Sequence, residues 1–281
     1  MEKRIFGPWG PNGKGDGTKR MMELENTPIR VALRGSKGRM GGVAMETIRQ
    51  EDDLLLVAEM GSETQDVATV VRRAQADVVV DLTVPKALEP GIRDLIRSGA
   101  DIVIGTSGVE NEHLEEWEEL AREYGNSVLV VPNFCLGVLL MQQMAEIALR
   151  VYSDLEIVEI HHEEKVDNPS GTASATAERL GTLRDRLGKK PLAPYVDDGF
   201  RGGMIKGIPI HSLRLPGMLA RQELHFGAKG ESFTIMHETK DRKAFMPGLL
   251  LAIRNVGKIK GLQVGLEAVL PEGWPLDSGE D

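Results

Sequence analysis

A short apolar strand runs straight into a glycine turn and then into a helix, and that succession restricts the chain more than any other feature. Ile29–Leu33 is the strand, Gly35-Ser36-Lys37-Gly38-Arg39-Met40-Gly41 is the turn, and helical periodicity begins with Val43, Ala44, Met45 and Ile48. Glycines at such a turn let the backbone bend tightly and approach a pyrophosphate at the helix N-terminus, as a dinucleotide-binding βαβ unit requires. The spacing is GxxGxxG and not GxGxxG, so the glycines need support from the neighbouring strand. That second apolar strand, Leu54–Ala58, ends at Glu59, 18 residues beyond Gly41, where a carboxylate is the expected partner of the adenosine ribose hydroxyls. A merely solvated strand-end acid is the plainer reading of Glu59, and the glycine turn ahead of it favours the ribose. Glu59 repels a 2′-phosphate and Met60 follows it, whereas Lys37 and Arg39 could pair with that phosphate. Both NADH and NADPH are therefore expected to work, with NADH at least as good.

Strands and helices alternate from Ile29 onward. Further strands are expected at Val78–Leu82, Ile102–Ile104 and Val128–Val131, with helices around 41–50, 64–75, 86–98 and 111–124. Such alternation marks a parallel sheet covered on both faces, a Rossmann-like α/β domain. Ligands of open α/β sheets bind at the carboxyl ends of the strands. The loops Asp81-Leu-Thr-Val-Pro85, Gly105-Thr106-Ser107-Gly108 and Pro132-Asn133-Phe134 stand there and should line the cofactor site. After Phe134 the texture changes to a Leu-, Met- and Ala-rich helix over 137–152, then strands at 155–160, 208–215, 219–226 and 231–237 separated by glycine-bearing turns. This reads as a second α+β domain with a mixed, largely antiparallel sheet. The expected division is a disordered leader over 1–27, a dinucleotide-binding domain over 28–132, and a substrate and oligomerisation domain over 133–242. The helix Phe245–Val256 should return to complete the first domain over about 243–270, ahead of a polar tail over 271–281.

The richest stretch for chemistry is Glu-Ile-His161-His162-Glu-Glu-Lys165-Val-Asp-Asn-Pro-Ser170-Gly171-Thr172-Ala. It follows the apolar, β-branched run Leu155–Ile160 and leads, through a turn at Asn168-Pro169, into Ala- and Glu-rich helical sequence. Ser170 or Thr172 can cap that helix, and the N–H groups of its first turn suit a carboxylate. A histidine pair, a lysine and an anion-binding helix start thus fall within about a dozen residues of one strand end. That is a site for an acidic small molecule with proton-transfer groups at hand. Metal binding is the rival, since His161, His162, Glu163, Glu164 and Asp167 are all competent ligands. No HExxH spacing exists, however, and neighbouring strand residues face opposite ways unless the strand ends between them. No metal is expected.

Composition narrows the class. The 281 residues are 41% hydrophobic but only 4% aromatic, so aliphatic packing must dominate the cores. A net charge of −9 argues against general nucleic-acid or anionic-membrane binding. No apolar run is long enough to span a bilayer, and the N-terminus has no signal-peptide h-region. The single cysteine, Cys135, suits a reducing cytosol and reads as packing rather than nucleophile.

The 161–173 motif closely resembles the signature of the 4-hydroxy-tetrahydrodipicolinate reductase (dihydrodipicolinate reductase) family. The resemblance runs from about Ile29 to Val256 and takes in the glycine loop, Gly105-Thr-Ser-Gly, Pro132-Asn-Phe, His211-Ser-Leu-Arg-Leu-Pro-Gly and Arg242-Lys-Ala-Phe-Met-Pro-Gly248. It implies reduction of a cyclic dicarboxylate by NADH or NADPH in the diaminopimelate route to lysine, by a cytoplasmic homotetramer joined through sheets of the second domain. An edge strand there would then be covered by a partner. It further implies that His161 is the acid/base and Lys165 the proton donor, with His162, Ser170, Gly171 and Thr172 on substrate. Gly35 to Met40, Glu59, Gly105, Thr106, Ser107, Val131, Pro132, Asn133 and Phe134 would lie on cofactor. The chemistry agrees. Hydride addition to a conjugated imine builds negative charge that a nearby cation must neutralise or protonate, and histidine exchanges protons near neutral pH. Cys135 stands where many members have serine, the stretch between Glu59 and Val78 is short, and Val84 replaces a basic residue of some members. Two other readings share parts of this pattern, an amino-acid or diamine dehydrogenase of the same architecture and a catalytically silent nucleotide sensor. The Ser170-Gly171-Thr172 anion site weighs against the first, and the intact His161, His162 and Lys165 against the second.

Overall fold

The computed structural model describes residues 27–106, 109, 113–191, 200–271 and 274. The expected leader (but for Thr27), Ser107, Gly108 and the tail (but for Pro271 and Trp274) lie outside the described residues. Nine elements alternate in the first half: β1 (Ile29–Arg34), α1 (Arg39–Ile48), β2 (Leu54–Met60), α2 (Val67–Ala74), β3 (Val78–Asp81), α3 (Pro85–Ile96), β4 (Asp101–Ile104), α4 (Leu114–Tyr124) and β5 (Val128–Val130). Their strands, with a late addition β11 (Leu262–Val264), form a six-stranded, all-parallel sheet of order β11-β5-β4-β3-β1-β2. Val78, Val79 and Val80 are buried in succession, because helices cover both faces of a parallel sheet and leave no solvent side for polar alternation. Helix α1 buries Gly41, Ala44 and Ile48, one face at helical spacing.

Strand order reverses between β1 and β3, where the chain crosses from one half of the sheet to the other. A crevice opens above the carboxyl ends of strands at such a point, and ligands of this architecture lie in it. The glycine turn after β1 and the loop after β3 border it.

The second half contains α5 (Leu136–Val151), β6 (Asp154–His161), α6 (Gly171–Arg186), β7 (Gly203–Ile205), β8 (Ile208–Arg214), β9 (Ala220–Ala228) and β10 (Glu231–Thr239). Its sheet has the order β10-β9-β6-β8-β7, parallel between β6 and β8 and antiparallel elsewhere. Helices α5 and α6 cover one face over a core that includes Ala145, Leu149, Ile157, Ala177, Leu180, Leu224 and Phe226. The opposite face carries Glu156, Val158, His211 and His225 around a shallow concavity. Helix α7 (Met246–Asn255) then returns to the first core, where Met246, Leu249, Ala252 and Ile253 pack with Val31, Leu33 and Leu129. Among the described residues no helix is long and apolar enough to cross a membrane.

The observed architecture is the expected pairing of a parallel α/β sheet with a mixed α+β sheet. Strands β7 and β11 were not anticipated. Each has three residues, too few to show a period of two, and β11 is largely exposed. Strand β1 also runs one residue further than its apolar run, to the buried Arg34.

Candidate active site

The nucleotide side of the crevice is shaped by backbone. Gly35 adopts φ +86, and a Cβ on it would lie 2.7 Å from the Leu82 carbonyl oxygen of the β3 loop. A Cβ on Gly41 would lie 2.1 Å from the Gly35 carbonyl oxygen, so the helix can start close against the turn only with glycine there. Gly38 precedes α1 without a side-chain cap, which leaves the first-turn N–H groups for an anion. These features fit a dinucleotide pyrophosphate. Among the side chains expected on cofactor, Lys37 and Arg39 are exposed, Lys37 paired with Glu63 and Arg39 3.9 Å from Glu164 across the crevice. The Glu59 carboxylate is paired with Arg49 at the end of α1, a partner that local spacing did not reveal. Met40 packs against the first core, and Ser36 donates its hydroxyl to the Met60 carbonyl at 3.2 Å. The side chains of Val131 and Phe134 are buried, the Phe134 ring against Gly105, so Val131, Phe134 and Gly105 can offer a ligand only backbone.

Beneath these loops lies a charged pair missed from the sequence. Arg34 Nη1 donates to Asp81 Oδ2 at 2.7 Å and Nη2 to the Ala87 carbonyl at 2.7 Å, with both side chains almost fully buried. The other Asp81 oxygen accepts from the Thr83 N–H at 2.9 Å and its hydroxyl at 2.5 Å, and Thr106 donates to the Thr83 carbonyl at 3.1 Å. One ion pair therefore ties together the loops that follow β1, β3 and β4.

The other side of the candidate site is made of side chains. Strand β6 ends at His161, so His161 closes the strand and His162 opens the loop beyond it. Glu159 is completely buried two residues earlier, where it pairs with His161 Nδ1 and with Arg214 on β8. Burial pushes the Glu159 carboxyl up, but hydrogen bonds from His161, Arg214 and Ser212 outweigh it and hold the group at about 2. An ionised Glu159 can only accept, so Nδ1 of His161 carries the hydrogen and Nε2 is the nitrogen left for exchange. Lys165 Nζ donates to both oxygens of Asp167 at 2.7 and 2.8 Å, and that contact holds the Asp167 carboxyl below the usual carboxylate range.

The Asn168–Pro169 bond is cis, and Ser170 then caps α6, its hydroxyl accepting from the Ala173 N–H at 3.2 Å. The N–H groups of Gly171 and Thr172 have no partner among the described residues, and a Cβ on Gly171 would meet open space. Asn133 donates to the Thr172 hydroxyl at 3.1 Å, joining the loop after β5 to the start of α6. Pro132, Asn133, Gly171 and Thr172 line one cavity, and Arg39, His162, Glu164 and Arg242 line a separate concavity. Arg39 of the glycine turn thus approaches the loop that carries His162, Glu164 and Lys165, and Asn133 joins the loop after β5 to the start of α6. Arg242 opens the stretch that runs to Gly248, but no local pattern marked it as a site residue.

Among the described residues no group of three or more His, Cys, Asp or Glu side chains could hold a metal ion. Cys135 is buried at the start of α5 with Sγ 3.4 Å from His237 Nε2. Burial pushes its thiol up, but the His237 contact together with hydrogen bonds from the Val138 and Gly137 N–H groups outweighs that and holds it below the usual thiol range.

The chain is similar to known proteins over most of its length. Residues 29–134 match the family model for the dihydrodipicolinate reductase N-terminus, and residues 137–270 match that for its C-terminus. The 4-hydroxy-tetrahydrodipicolinate reductase of Dehalococcoides mccartyi is 38% identical over 261 residues, which span 87% of this chain and 99% of that protein. The protein of the same name from Coxiella burnetii is 39% identical over 242 residues, 86% of this chain and 99% of its own. A solved structure described as dipicolinate-bound dihydrodipicolinate reductase from Paenisporosarcina sp. TG-14 superposes with a TM-score of 0.73 at 33% identity. It covers 87% of this chain and 100% of that one. A probable dehydrogenase from Thermotoga maritima, at 11% identity and a TM-score of 0.58, shares the fold alone. The chain belongs to the dihydrodipicolinate reductase family.

Proposed function

We propose that this chain catalyses the NAD(P)H-dependent reduction of 4-hydroxy-tetrahydrodipicolinate to tetrahydrodipicolinate, in the diaminopimelate route of lysine biosynthesis. The observation that carries the reading is the approach of Arg39, in the glycine turn, to Glu164 in the loop between His161 and Lys165, ahead of the open helix start at Gly171 and Thr172. One substrate carboxylate binds the N–H groups of Gly171 and Thr172, where the helix dipole favours negative charge. Arg242 and His162 attract the other. A bound reduced nicotinamide supplies the hydride. The product lacks the 4-hydroxyl of the substrate, so a water leaves and one proton is consumed with the hydride. Lys165 is the donor of that proton and the cation that stabilises developing negative charge. Its present partner Asp167 is 62% exposed, so the pair is screened by water and gives way to the substrate carboxylates. His161 exchanges a proton at Nε2 while Glu159 holds Nδ1.

On the cofactor side, Gly35, Ser36, Lys37, Gly38, Arg39, Met40 and Gly41 hold the pyrophosphate, and Glu59 the adenosine ribose. Gly105, Thr106, Val131, Pro132, Asn133 and Phe134 border the nicotinamide half. NADH serves at least as well as NADPH. Residues 28–132 with 243–270 form the nucleotide domain and 133–242 the substrate domain. The chain works as a cytoplasmic homotetramer whose second-domain sheets meet.

The test is a coupled assay. Pyruvate and aspartate semialdehyde are condensed by a synthase, and nicotinamide absorbance is followed on adding this protein. Synthase-dependent loss of absorbance is expected, and none with either cofactor would overturn the reading.

A further inference from the structure

Along the inward face of β6 stand Leu155, Ile157 and Glu159, all buried, so the row of core residues ends in a carboxylate. Packing alone would favour another aliphatic residue there, since an ionised group taken out of water must be matched by charge and hydrogen bonds. The match is complete on both sides. Glu159 Oε1 accepts from Arg214 Nη2 at 2.9 Å and from the N–H of Ser170, the cap of α6, at 3.3 Å. Its Oε2 accepts from His161 Nδ1 and from Arg214 Nη1 at 3.1 Å. Arg214 engages all five of its N–H groups. Beyond the Glu159 pair, Nη1 reaches the Leu213 carbonyl at 2.7 Å, Nε the Lys165 carbonyl at 3.1 Å, and Nη2 the Asp167 carbonyl at 2.6 Å. Within the loop that bears Lys165, the backbone closes one hydrogen bond of its own, Lys165 N–H to the His162 carbonyl.

We propose that Glu159 and Arg214 are positioning residues that join His161, Lys165 and the head of α6 into one unit. Neither needs to touch substrate. Glu159 sets the imidazole tautomer and its direction, as a buried carboxylate does behind a catalytic histidine. Arg214 connects that carboxylate to the loop holding the lysine ammonium, and its planar fork is what permits bonds in several directions at once. A lysine at 214 could not reproduce them. The proposal deepens the reductase reading and rests on it for its kinetic arm.

The test uses the full chain with Glu159→Gln, Arg214→Ala and Arg214→Lys, each checked by thermal melting and by titration with NADH. The folded variants are expected to bind NADH within about threefold of the parent and to lose roughly 10²-fold or more in kcat, as for a misdirected proton-transfer group. Added guanidinium should restore at least about tenfold of the Arg214→Ala loss, and Arg214→Lys should stay impaired. Nitrogen-15 spectra of the His161 ring should show the Nδ1–H form in the parent and a tautomer mixture in Glu159→Gln. A folded Glu159→Gln turning over within about threefold of the parent, or Arg214→Ala unmoved by guanidinium, would overturn the proposal. If Glu159→Gln fails to fold, the guanidinium titration decides alone. The ring spectra need no turnover, so a parent that is inert in the coupled assay sinks the reductase reading and leaves this one decidable.

Discussion

On the proposed nucleotide side the surface around the glycine turn is backbone, whereas on the proposed catalytic side it is charged side chains. Gly35 and Gly41 let a turn and a helix start approach each other, and the buried Arg34–Asp81 pair holds neighbouring loops from beneath. Opposite, Glu159 pairs with His161 and Arg214, Arg214 reaches the backbone carbonyls of Lys165 and Asp167, and the Lys165 ammonium pairs with Asp167. A backbone cradle is tuned by sterics and holds a cofactor whose hydride needs no help from ionisable groups. A proton donor must be held as a cation within reach of one atom, and that demands a framework of counter-charges. Damage to the first side should therefore appear as lost cofactor affinity, and damage to the second as lost turnover.

The largest effect should come from Lys165→Ala. It is expected to lower kcat by roughly 10²–10⁴ with little change in NADH affinity. Turnover near that of the parent would remove lysine from the mechanism and erase the contrast between the two sides. Gly41→Val tests the opposite side. A Cβ there overlaps the Gly35 carbonyl oxygen, so the apparent KM for NADH should rise by about tenfold or more, with a smaller change in kcat at saturating cofactor. A kcat effect at unchanged KM would show that the turn serves the chemistry as well as binding. Thr172→Leu disturbs the carboxylate subsite and should raise substrate KM by several-fold more than it lowers kcat; an unchanged KM would count against carboxylate binding at the start of α6.

The smallest effect is one of stability against acid. In the folded chain the Glu159 carboxyl titrates at about 2 against an ordinary value of 4.5, so the stability it contributes is full above about 4.5 and is lost as pH falls toward 2. Glu159→Gln should flatten that part of an acid-unfolding curve followed by circular dichroism. Superimposable curves would mean that the buried carboxylate carries no folding linkage.

The sequence made local features legible. The glycine turn, the strand ends and the run from His161 to Thr172 each lie in one short stretch, and Arg39–Glu164 and Asn133–Thr172 contacts link them. Pairings across the sheet were not legible. Arg214 meets Glu159 over 55 residues and Arg34 meets Asp81 over 47, and register alone decides such meetings. Arg214 lies opposite His161 in the parallel pairing of β6 with β8. That pairing could not be read from composition, because a mixed sheet permits either direction for each neighbour. The partnership of Glu59 with Arg49 was hidden for a similar reason, since it joins the end of a helix to the next strand.

The most direct test of the account is a crystal structure of the chain with NADH and dipicolinate bound together. The account places the nicotinamide on the glycine-turn side of the dipicolinate ring, one carboxylate on the Gly171 and Thr172 N–H groups, and Lys165 and His161 within hydrogen-bond reach of the ring. A dipicolinate seated away from the head of α6, or a lysine still paired with Asp167 and turned from the ring, would contradict it.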